Sequence, residues 1–281
     1  MVMKRKNMMR RNLEQTIRKS IGRYLAIVAI IALGAGLFCG LRVTKVDMVA
    51  TVQDFTDRQN MFDVQVLNSF GWDEDSVRAI SKVPGLADAE GGISLDALIH
   101  MGDGKDQAFK LLSIPETVNR VSLVAGRMPA APDECLADNF YYDESILGTQ
   151  IHISPLNEEM TLDSLAYDRY TVVGLAATPL YLNMQRGSTS IGTGSLTDYF
   201  YLPREGFSTD IFTEINLTLP GDYSVYTDAY DDAMDDMAEQ LEAYCQPLAD
   251  DRRAEILSDA EQQYADGKQE YDDGVAEYNE Q

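Results

Sequence analysis

One long apolar stretch dominates the hydrophobic pattern of this chain. Residues 24–41, with the sequence YLAIVAIIALGAGLFCGL, contain no charged side chain and no strong helix breaker. As an α-helix this stretch is about 27 Å long, close to the thickness of the hydrocarbon core of a bilayer. Ile21, Gly22 and the aliphatic part of Arg23 extend it further. The pattern therefore predicts one membrane-spanning helix at residues 24–41.

Helical spacing continues on both sides of the apolar stretch. In residues 1–23, apolar side chains recur among basic ones, which predicts a cytoplasmic amphipathic segment at the headgroups; a disordered basic flank is the alternative. In residues 42–61, apolar side chains recur at helical intervals, which predicts that the helix continues into water as a stalk. Gly36 and Gly40 form a small-xxx-small pair, which predicts close packing against another helix in the membrane.

The middle of the chain alternates between strand-like and helix-like patterns. It opens with a predicted strand at residues 62–66 and a predicted helix at residues 72–83. The remaining predicted strands lie at residues 93–101, 109–114, 150–154, 170–175, 199–202 and 214–219, of which the first two form a hairpin. The order of strand, helix, strands and helix predicts an α+β core domain at residues 62–221, followed by an acidic helix at residues 222–248.

The last stretch, residues 249–281, carries the clearest regularity in the sequence. Large and small side chains each recur at intervals of seven, which is the pattern of a coiled-coil seam. The seam consists of Leu257, Ala260, Tyr264, Gly267, Tyr271, Gly274 and Tyr278. Each glycine inside a helix costs about 1 kcal/mol, so the seam requires a partner helix. Because no such helix follows before Gln281, we expect the sequence to be cut at the start of a coiled coil.

Charge is distributed unevenly about the apolar stretch. Residues 1–23 contain eight basic residues and one acidic residue, and the rest of the chain contains 15 basic and 45 acidic residues, a balance of −30. Because basic flanks stay on the cytoplasmic side, this pattern predicts a cytoplasmic N-terminus and an acidic bulk outside the cell membrane. A signal peptide cleaved near Gly36 is the alternative. A lipoprotein signal is excluded, since Phe38 is too bulky to precede its cysteine at Cys39.

The composition limits the possible functions. The negative charge repels nucleic acid, which is therefore not an expected partner. Cys39 lies in the predicted span, and Cys135 and Cys245 either pair with each other or remain separate buried thiols. His100 and His152 have no Cys or His neighbour at ligand spacing, which favours core or surface histidines over metal ligands.

Motifs that carry enzymatic chemistry are missing from the sequence. It contains no G-x-S-x-G nucleophile turn and no phosphate-binding loop, and the glycines at residues 192–194 lack a strand-to-helix setting. The acid pairs at residues 231–232 and 235–236 lack the spacing of a calcium loop, so they predict a solvated helix face. The sequence therefore predicts a protein that is not an enzyme and has no cofactor, catalytic residue or metal site.

Five segments between residues 10 and 220 form an ordered set. The first segment is RKSIGRYLAIVAIIALGAGLFCGL, and the second is SVRAISKVPGLADAEGG. The third is VSLVAGRMPAAPDECLADN, which contains the motif GR-x-P and an acidic residue before a strand (Gly126, Arg127, Pro129 and Glu134). ILGTQIHIS and YTVVGLAATPLYL complete the set. Together they resemble the first span and extracytoplasmic domain of FtsX/MacB-type ABC transporter permeases, although Thr149 replaces an acid that is usual there. The heptad tail resembles coiled-coil insertions in a subset of these permeases.

This resemblance implies a particular fold and particular partners. The fold is a MacB-like periplasmic core domain, in which a β-α-β porter subdomain near the membrane carries an inserted β-rich subdomain. The implied partners are an ABC ATPase subunit that hydrolyses ATP, a second permease copy or homologue, and the lipid bilayer of the plasma membrane. The later spans and the segment that grips the ATPase are missing. We therefore expect either the N-terminal part of a longer permease or a truncated relative.

Two functional hypotheses follow from the sequence. The first is the N-terminal portion of an ABC permease subunit, which passes ATP-driven movement to an outer domain that handles a lipid, lipoprotein, peptide or cell-wall partner. The alternative is a single-pass, membrane-anchored sensor or adhesion protein whose coiled coil self-associates. A membrane-tethered hydrolase is a weaker third hypothesis, because both a nucleophile and a base are missing.

Overall fold

The structure, a computed structural model, describes residues 3–102, 104–181, 183–220 and 223–280, and the side chains of all of these except residues 3–7, 270 and 273–280. The helices are α1 (Met3–Lys19), α2 (Ile21–Gln59), α3 (Glu74–Ile80), α4 (Glu159–Asp163) and α5 (Asp228–Glu280). The strands are β1 (Val64–Trp72), β2 (Asp88–Gly92), β3 (Ser94–Met101), β4 (Gln107–Ser113), β5 (Ser122–Gly126), β6 (Glu134–Asp138), β7 (Gln150–Ile153), β8 (Arg169–Ala177), β9 (Asp198–Leu202) and β10 (Phe212–Thr218). The chain divides into two compact units, the first ending at Asp54 and the second beginning at Phe55.

The first unit consists of α1 and most of α2. The backbone N–H of Ser20 still donates to the carbonyl of Thr16, so α1 passes into α2 with an interruption of one residue. Among the described residues, α2 is the one helix that is long and apolar enough to cross a membrane. Its apolar side chains are exposed, for example Leu33 at 76%. A surface of this kind is stable in lipid, and α2 continues past Leu41 without a break.

The second unit contains a small antiparallel sheet with the strand order β1-β10-β2. Val66 lies opposite Ile215, and Ile215 lies opposite Gly91 on the other side. Alternation along these strands places apolar side chains on one face, where α3 and α5 cover them. Asp73 caps α3 by accepting a hydrogen bond from the backbone N–H of Ser76 (2.7 Å).

The other sheet of this unit has seven strands in the order β5-β8-β6-β9-β4-β3-β7. Because β7 pairs with both β3 and β8, six of these strands close into a barrel, and β5 is added outside on β8. Fully buried side chains of alternate positions fill the barrel, among them Phe109, Leu111, Tyr170 and Phe200. Strand β5 was not predicted from the hydrophobic pattern, since its side chains are mostly exposed.

Strands β3 to β9 lie between β2 and β10 along the chain, so the barrel is inserted into the small sheet. The mixed α+β class predicted from the sequence is confirmed. This topology is also the one that the resemblance implies, a small α/β unit with an inserted β-rich part.

Helix α5 begins at Asp228, later than the predicted start at Asp222, which lies outside the described residues. The backbone N–H of Tyr230 donates to the hydroxyl oxygen of Thr227 (3.4 Å), as it does at an N-cap, which explains the later start. The first turns of α5 bury Met237, Leu241 and Cys245 against the small sheet, in the core that also contains Trp72. In the later turns of α5, most of the described side chains are exposed to solvent.

Two leucines of α5 allow a matched test of this packing. Leu241 is 2% exposed and Leu257 is 49% exposed, on one helix. We expect Leu241→Ala to lower the free energy of unfolding by roughly 2–5 kcal/mol, because it leaves a cavity, and Leu257→Ala by less than about 0.5 kcal/mol. Urea unfolding of the full chain in detergent, followed by the fluorescence of Trp72, the one tryptophan, measures both. Equal effects of the two variants would contradict the packing of α5.

Candidate functional site

The last turn of α2 belongs to the second unit, where it ends in a Schellman motif. Asn60 has a φ of 49°, in the left-handed region that ends helices. The backbone N–H of Met61 donates to the carbonyl of Thr56 (3.0 Å), and that of Asn60 donates to the carbonyl of Asp57 (3.1 Å). These two bonds satisfy carbonyls that the end of a helix would otherwise leave without a partner.

The remaining carbonyls of the helix end are bound by the loop between β4 and β5. The backbone N–H of Asn119 donates to the carbonyl of Asn60, and that of Arg120 donates to the carbonyl of Gln59, both at 2.8 Å. The side-chain oxygen of Asn119 accepts from the backbone N–H of Phe62 (2.9 Å). Asn119 is 2% exposed and has a φ of 61°. A buried loop residue in this conformation indicates that the loop is shaped to receive the helix end.

Glu90 of β2 fixes the same loop to the small sheet. Its carboxylate accepts hydrogen bonds from three successive backbone N–H groups, those of Glu116 (2.7 Å), Thr117 (2.8 Å) and Val118 (2.7 Å). Hydrogen bonds to a charged acceptor are stronger than those between neutral groups. The loop is therefore held on one side by the helix end and on the other by a strand of the small sheet.

Three further side chains connect the helix end to the rest of the unit. The Asn60 amide donates to Asp88 of β2 (3.2 Å), and the Gln59 amide donates to the Ser122 hydroxyl at the start of β5 (2.6 Å). Asp63 accepts from the Tyr230 hydroxyl of α5 (2.8 Å). Burial, together with this bond to a carboxylate, raises the pKa of Tyr230.

We call this set of contacts the helix junction. It consists of Gln59, Asn60, Asp63, Asp88, Glu90, Asn119 and Ser122, with the backbone of residues 116–120. The helix junction joins the end of α2 to the small sheet, to β5 beside the barrel and to α5. Its groups hold and position backbone, so it is suited to transmitting force within the domain.

The signature residues of the resemblance form a clamp at the turn between β5 and β6. Arg127 donates to both carboxylate oxygens of Glu134, one of them at 2.6 Å, and the backbone N–H of Ala130 donates to the same carboxylate (2.7 Å). The hydrogen bonds from Arg127 have the largest effect on the pKa of Glu134, and together with the bond from Ala130 they lower it to about 2. Gly126 has a φ of 74°, and a Cβ there would lie 2.4 Å from the carbonyl oxygen of Val173. The signature is therefore explained by the geometry of a tight turn.

A buried charged cluster lies at one end of β6 and β9. Arg186 donates to Asp138 and to Asp198 (2.8 Å to the latter), and all three side chains are at most 2% exposed. The Tyr199 hydroxyl donates to Asp138 (2.8 Å). The guanidinium carbon lies 5.3–5.9 Å from the centroids of four aromatic rings, those of Phe140, Tyr141, Tyr181 and Tyr199. Arg186 therefore anchors the loop between β8 and β9.

The two carboxylates of this cluster share a single guanidinium. One oxygen of Asp198 is buried without a hydrogen-bond partner among the described residues. Burial is the largest influence on Asp198, and it raises the pKa to about 7, although Arg186 acts in the opposite direction.

The residues predicted to pack against other helices are exposed. Gly36 and Gly40 lie in α2, with nothing within 4 Å of a Cβ built on either. On α5, Tyr264 is 75% exposed and Tyr271 is 71% exposed. A Cβ built on Gly267 would likewise have no neighbouring atom within 4 Å. The remaining large seam residue with a described side chain, Leu257, is exposed as well, and the side chains at positions 274 and 278 lie outside those described.

Cys135 and Cys245 do not pair with each other, because they lie in different cores. Cys135 lies in the core of the barrel and Cys245 lies in the core beneath the small sheet, and both are free thiols. Burial raises the pKa of both thiols, that of Cys245 to about 11. His100 and His152, in contrast, were not expected to meet, and the structure places their rings side by side.

Comparison with known proteins gives three solved structures of interest. The extracellular domain of the noncanonic ABC-type transporter YknZ from Gram-positive bacteria is 12% identical, with 55% of this chain and 76% of that chain covered and a TM-score of 0.35. The periplasmic region of MacB from Actinobacillus actinomycetemcomitans is 11% identical, with 64% and 77% covered and a TM-score of 0.34. A domain of a protein described as a permease from Porphyromonas gingivalis is 16% identical, with 63% and 71% covered and a TM-score of 0.31.

The descriptions of two of these structures name a transporter or a permease. No protein-family model matches the chain, and no curated protein matches it. The likeness to the solved structures is partial. With α2 as its apolar helix, the chain is a membrane-anchored protein with a separate folded domain.

The hydrogen bonds between the Glu90 carboxylate and the loop can be tested by a single substitution. Glu90→Gln leaves one acceptor oxygen for three N–H groups, so at least one group loses its partner. We expect stability to fall by about 1–3 kcal/mol and the amides of Thr117 and Val118 to exchange faster with solvent. Hydrogen exchange of the full chain in detergent measures this. Glu116→Gln, an exposed substitution in the same loop, is the control. Equal exchange in both variants would contradict the role of the Glu90 carboxylate in holding the loop.

The buried cluster predicts a pH dependence. Because the pKa of Asp198 is raised in the folded chain, the folded form holds a proton between about pH 4 and pH 7 that the unfolded form has released. The contribution of Asp198 to stability therefore falls as the pH rises through this window and is constant above it. The difference in free energy of unfolding between the wild type and Asp198→Asn should shift by a few kcal/mol across the window. A difference that stays constant from pH 4 to pH 8 would overturn this assignment.

Proposed function

We propose that this chain is the N-terminal portion of an ABC transporter permease subunit, in which α2 passes ATP-driven movement to an extracytoplasmic domain. The single observation that carries the proposal is the course of α2. This helix runs unbroken from its apolar part to Gln59, and its last turn is hydrogen-bonded into the helix junction. A helix that ended in a flexible linker would transmit little force, whereas this one ends on fixed partners.

The helix junction suits a transmitting role because its contacts lead in several directions. Movement of Asn60 acts on β2 directly through Asp88, and on the same strand through the loop held by Glu90. Movement of Gln59 acts on β5 through Ser122, and through β5 on β8 of the barrel. The domain would therefore respond to α2 as a body, and its work would be mechanical, with ATP hydrolysed by a separate ABC ATPase subunit.

The location of the domain follows from charge. Eight basic residues before Tyr24 favour a cytoplasmic N-terminus, and the acidic bulk would then lie outside the plasma membrane. A lipid, lipoprotein, peptide or cell-wall component is the kind of partner that such a domain would handle. Gly36 and Gly40 leave an open strip on α2, which would accept a helix of a second permease copy or homologue.

A second candidate function is favoured by the exposed seam of α5. Its large side chains face solvent over two heptads, and Gly267 leaves room for a close neighbour. A single-pass sensor or adhesion protein that associates through this seam would show the same feature. The two candidates differ in whether an ATPase is bound.

Purification from the native host separates the two candidates. We expect the tagged full chain, solubilised in mild detergent, to carry an ABC ATPase with it, identified by mass spectrometry. In that complex, binding of nucleotide should change the hydrogen exchange of residues 115–121, and Asn60→Gly should reduce this change, because it removes the bonds to Asp88 and Thr117 while keeping the backbone conformation. Recovery of the chain only with copies of itself would favour the sensor.

The orientation can be tested with single cysteines. In a Cys39→Ser background, Glu144→Cys lies in the exposed part of the domain and Gln15→Cys lies in the exposed part of α1, while the two native cysteines are buried. A membrane-impermeant maleimide should label position 144 in intact cells, and position 15 only after permeabilisation. The opposite pattern would place the domain in the cytoplasm.

A further inference from the structure

The two histidines of the chain meet on the outside of the barrel. His100 lies in β3 and His152 lies in β7, and the register of these antiparallel strands places the two residues directly opposite each other. Their ring centroids are 5.1 Å apart, and the ring planes differ by 11°. Both side chains are partly exposed, so solvent and small ions can reach them.

The strands that carry the pair are fixed by the barrel core. Ile99, Ile151 and Ile153, the neighbours of the histidines along the strands, are at most 7% exposed and pack inside the barrel. Directly opposite residues of an antiparallel pair have Cβ atoms about 4.5–5.5 Å apart, which lets two side chains converge on one point. The stacked rings would rotate about their side-chain bonds to bind one ion together.

One of the two rings is oriented by a carboxylate. Nδ1 of His100 lies 3.3 Å from a carboxylate oxygen of Asp106, and the Ser154 hydroxyl donates to the other oxygen of that carboxylate. In the neutral ring this contact places the proton on Nδ1 and leaves Nε2 as a free donor to a metal. A carboxylate behind a histidine is the usual outer support of a metal-binding imidazole.

The nearby charges do not prevent binding of a cation. Arg169 of β8 lies opposite His152 in the register, but its guanidinium is paired with Asp168 (3.2 Å). The excess of acidic residues in the chain attracts cations to the surface of the domain. Among the described residues no group of three or more His, Cys, Asp or Glu side chains is placed to hold a metal, so water would complete the coordination.

We propose that His100 and His152 form a two-imidazole binding site for a divalent late transition metal, with Asp106 as the residue that positions His100. Neutral imidazoles suit Cu²⁺, Ni²⁺ and Zn²⁺, and the affinity for such a site increases from Ni²⁺ to Cu²⁺. The proposal differs from the expectation from the sequence, which favoured core or surface histidines over metal ligands. The site is independent of the proposed transport function, because it lies on the barrel and needs no ATPase.

The test uses the full chain in detergent at pH 7.5, stripped of metal with EDTA. Titration calorimetry with NiCl₂ should show one site per chain. With CuCl₂, electron paramagnetic resonance should show hyperfine coupling to two nitrogens. The double variant His100→Phe, His152→Phe keeps two stacked aromatic rings but should lose the site. Asp106→Asn should weaken binding by about 10- to 100-fold, and Glu144→Gln, an exposed control, should leave it unchanged.

Other outcomes decide against the site. Absence of saturable binding, or binding that survives in the double variant, would overturn the proposal. Binding that survives in Asp106→Asn with the same affinity would overturn the positioning role of Asp106. Circular dichroism of each variant shows that the fold is retained.

Discussion

The end of α2 is the constraint on which the proposed mechanics depend. A helix leaves its last carbonyls without partners, and here the domain supplies some of those partners from its own backbone. The loop that does so is held in place by the amide oxygen of Asn119, which accepts from the backbone N–H of Phe62, and by the carboxylate of Glu90, which accepts from the backbone N–H of Val118. The helix end and the domain are thereby parts of one hydrogen-bonded network, and neither can shift without disturbing the other.

Two other features stiffen the body to which the helix is attached. Barrel closure through β7 leaves the six strands without a free edge, so the barrel resists shear as a unit. The ion cluster of Arg186 holds the long loop between β8 and β9 against the end of β6. Such a buried cluster is a costly way to gain rigidity, because one carboxylate oxygen of Asp198 has no partner.

The sequence predicted what depends on local periodicity. The apolar span, most of the strands and the acidic helix all follow from repeats of two, three or four residues, and the inserted arrangement follows from the resemblance. The helix junction could not be predicted, since Asn60, Asn119 and Glu90 are isolated polar residues whose roles depend on backbone conformation and on contacts distant in sequence. The histidine pair was missed for a similar reason, because only barrel closure brings β3 beside β7.

The insertion of the barrel sets an order for the assembly of the domain. Gln65 and Asn216, which bond to each other across β1 and β10, are 151 positions apart along the chain. The small sheet therefore stays incomplete until every strand of the barrel has left the ribosome, while the barrel contains all of its own strands within a shorter segment. During synthesis, the barrel can fold first and bring the two distant strands together, which lowers the entropic barrier to closing the sheet that receives the helix.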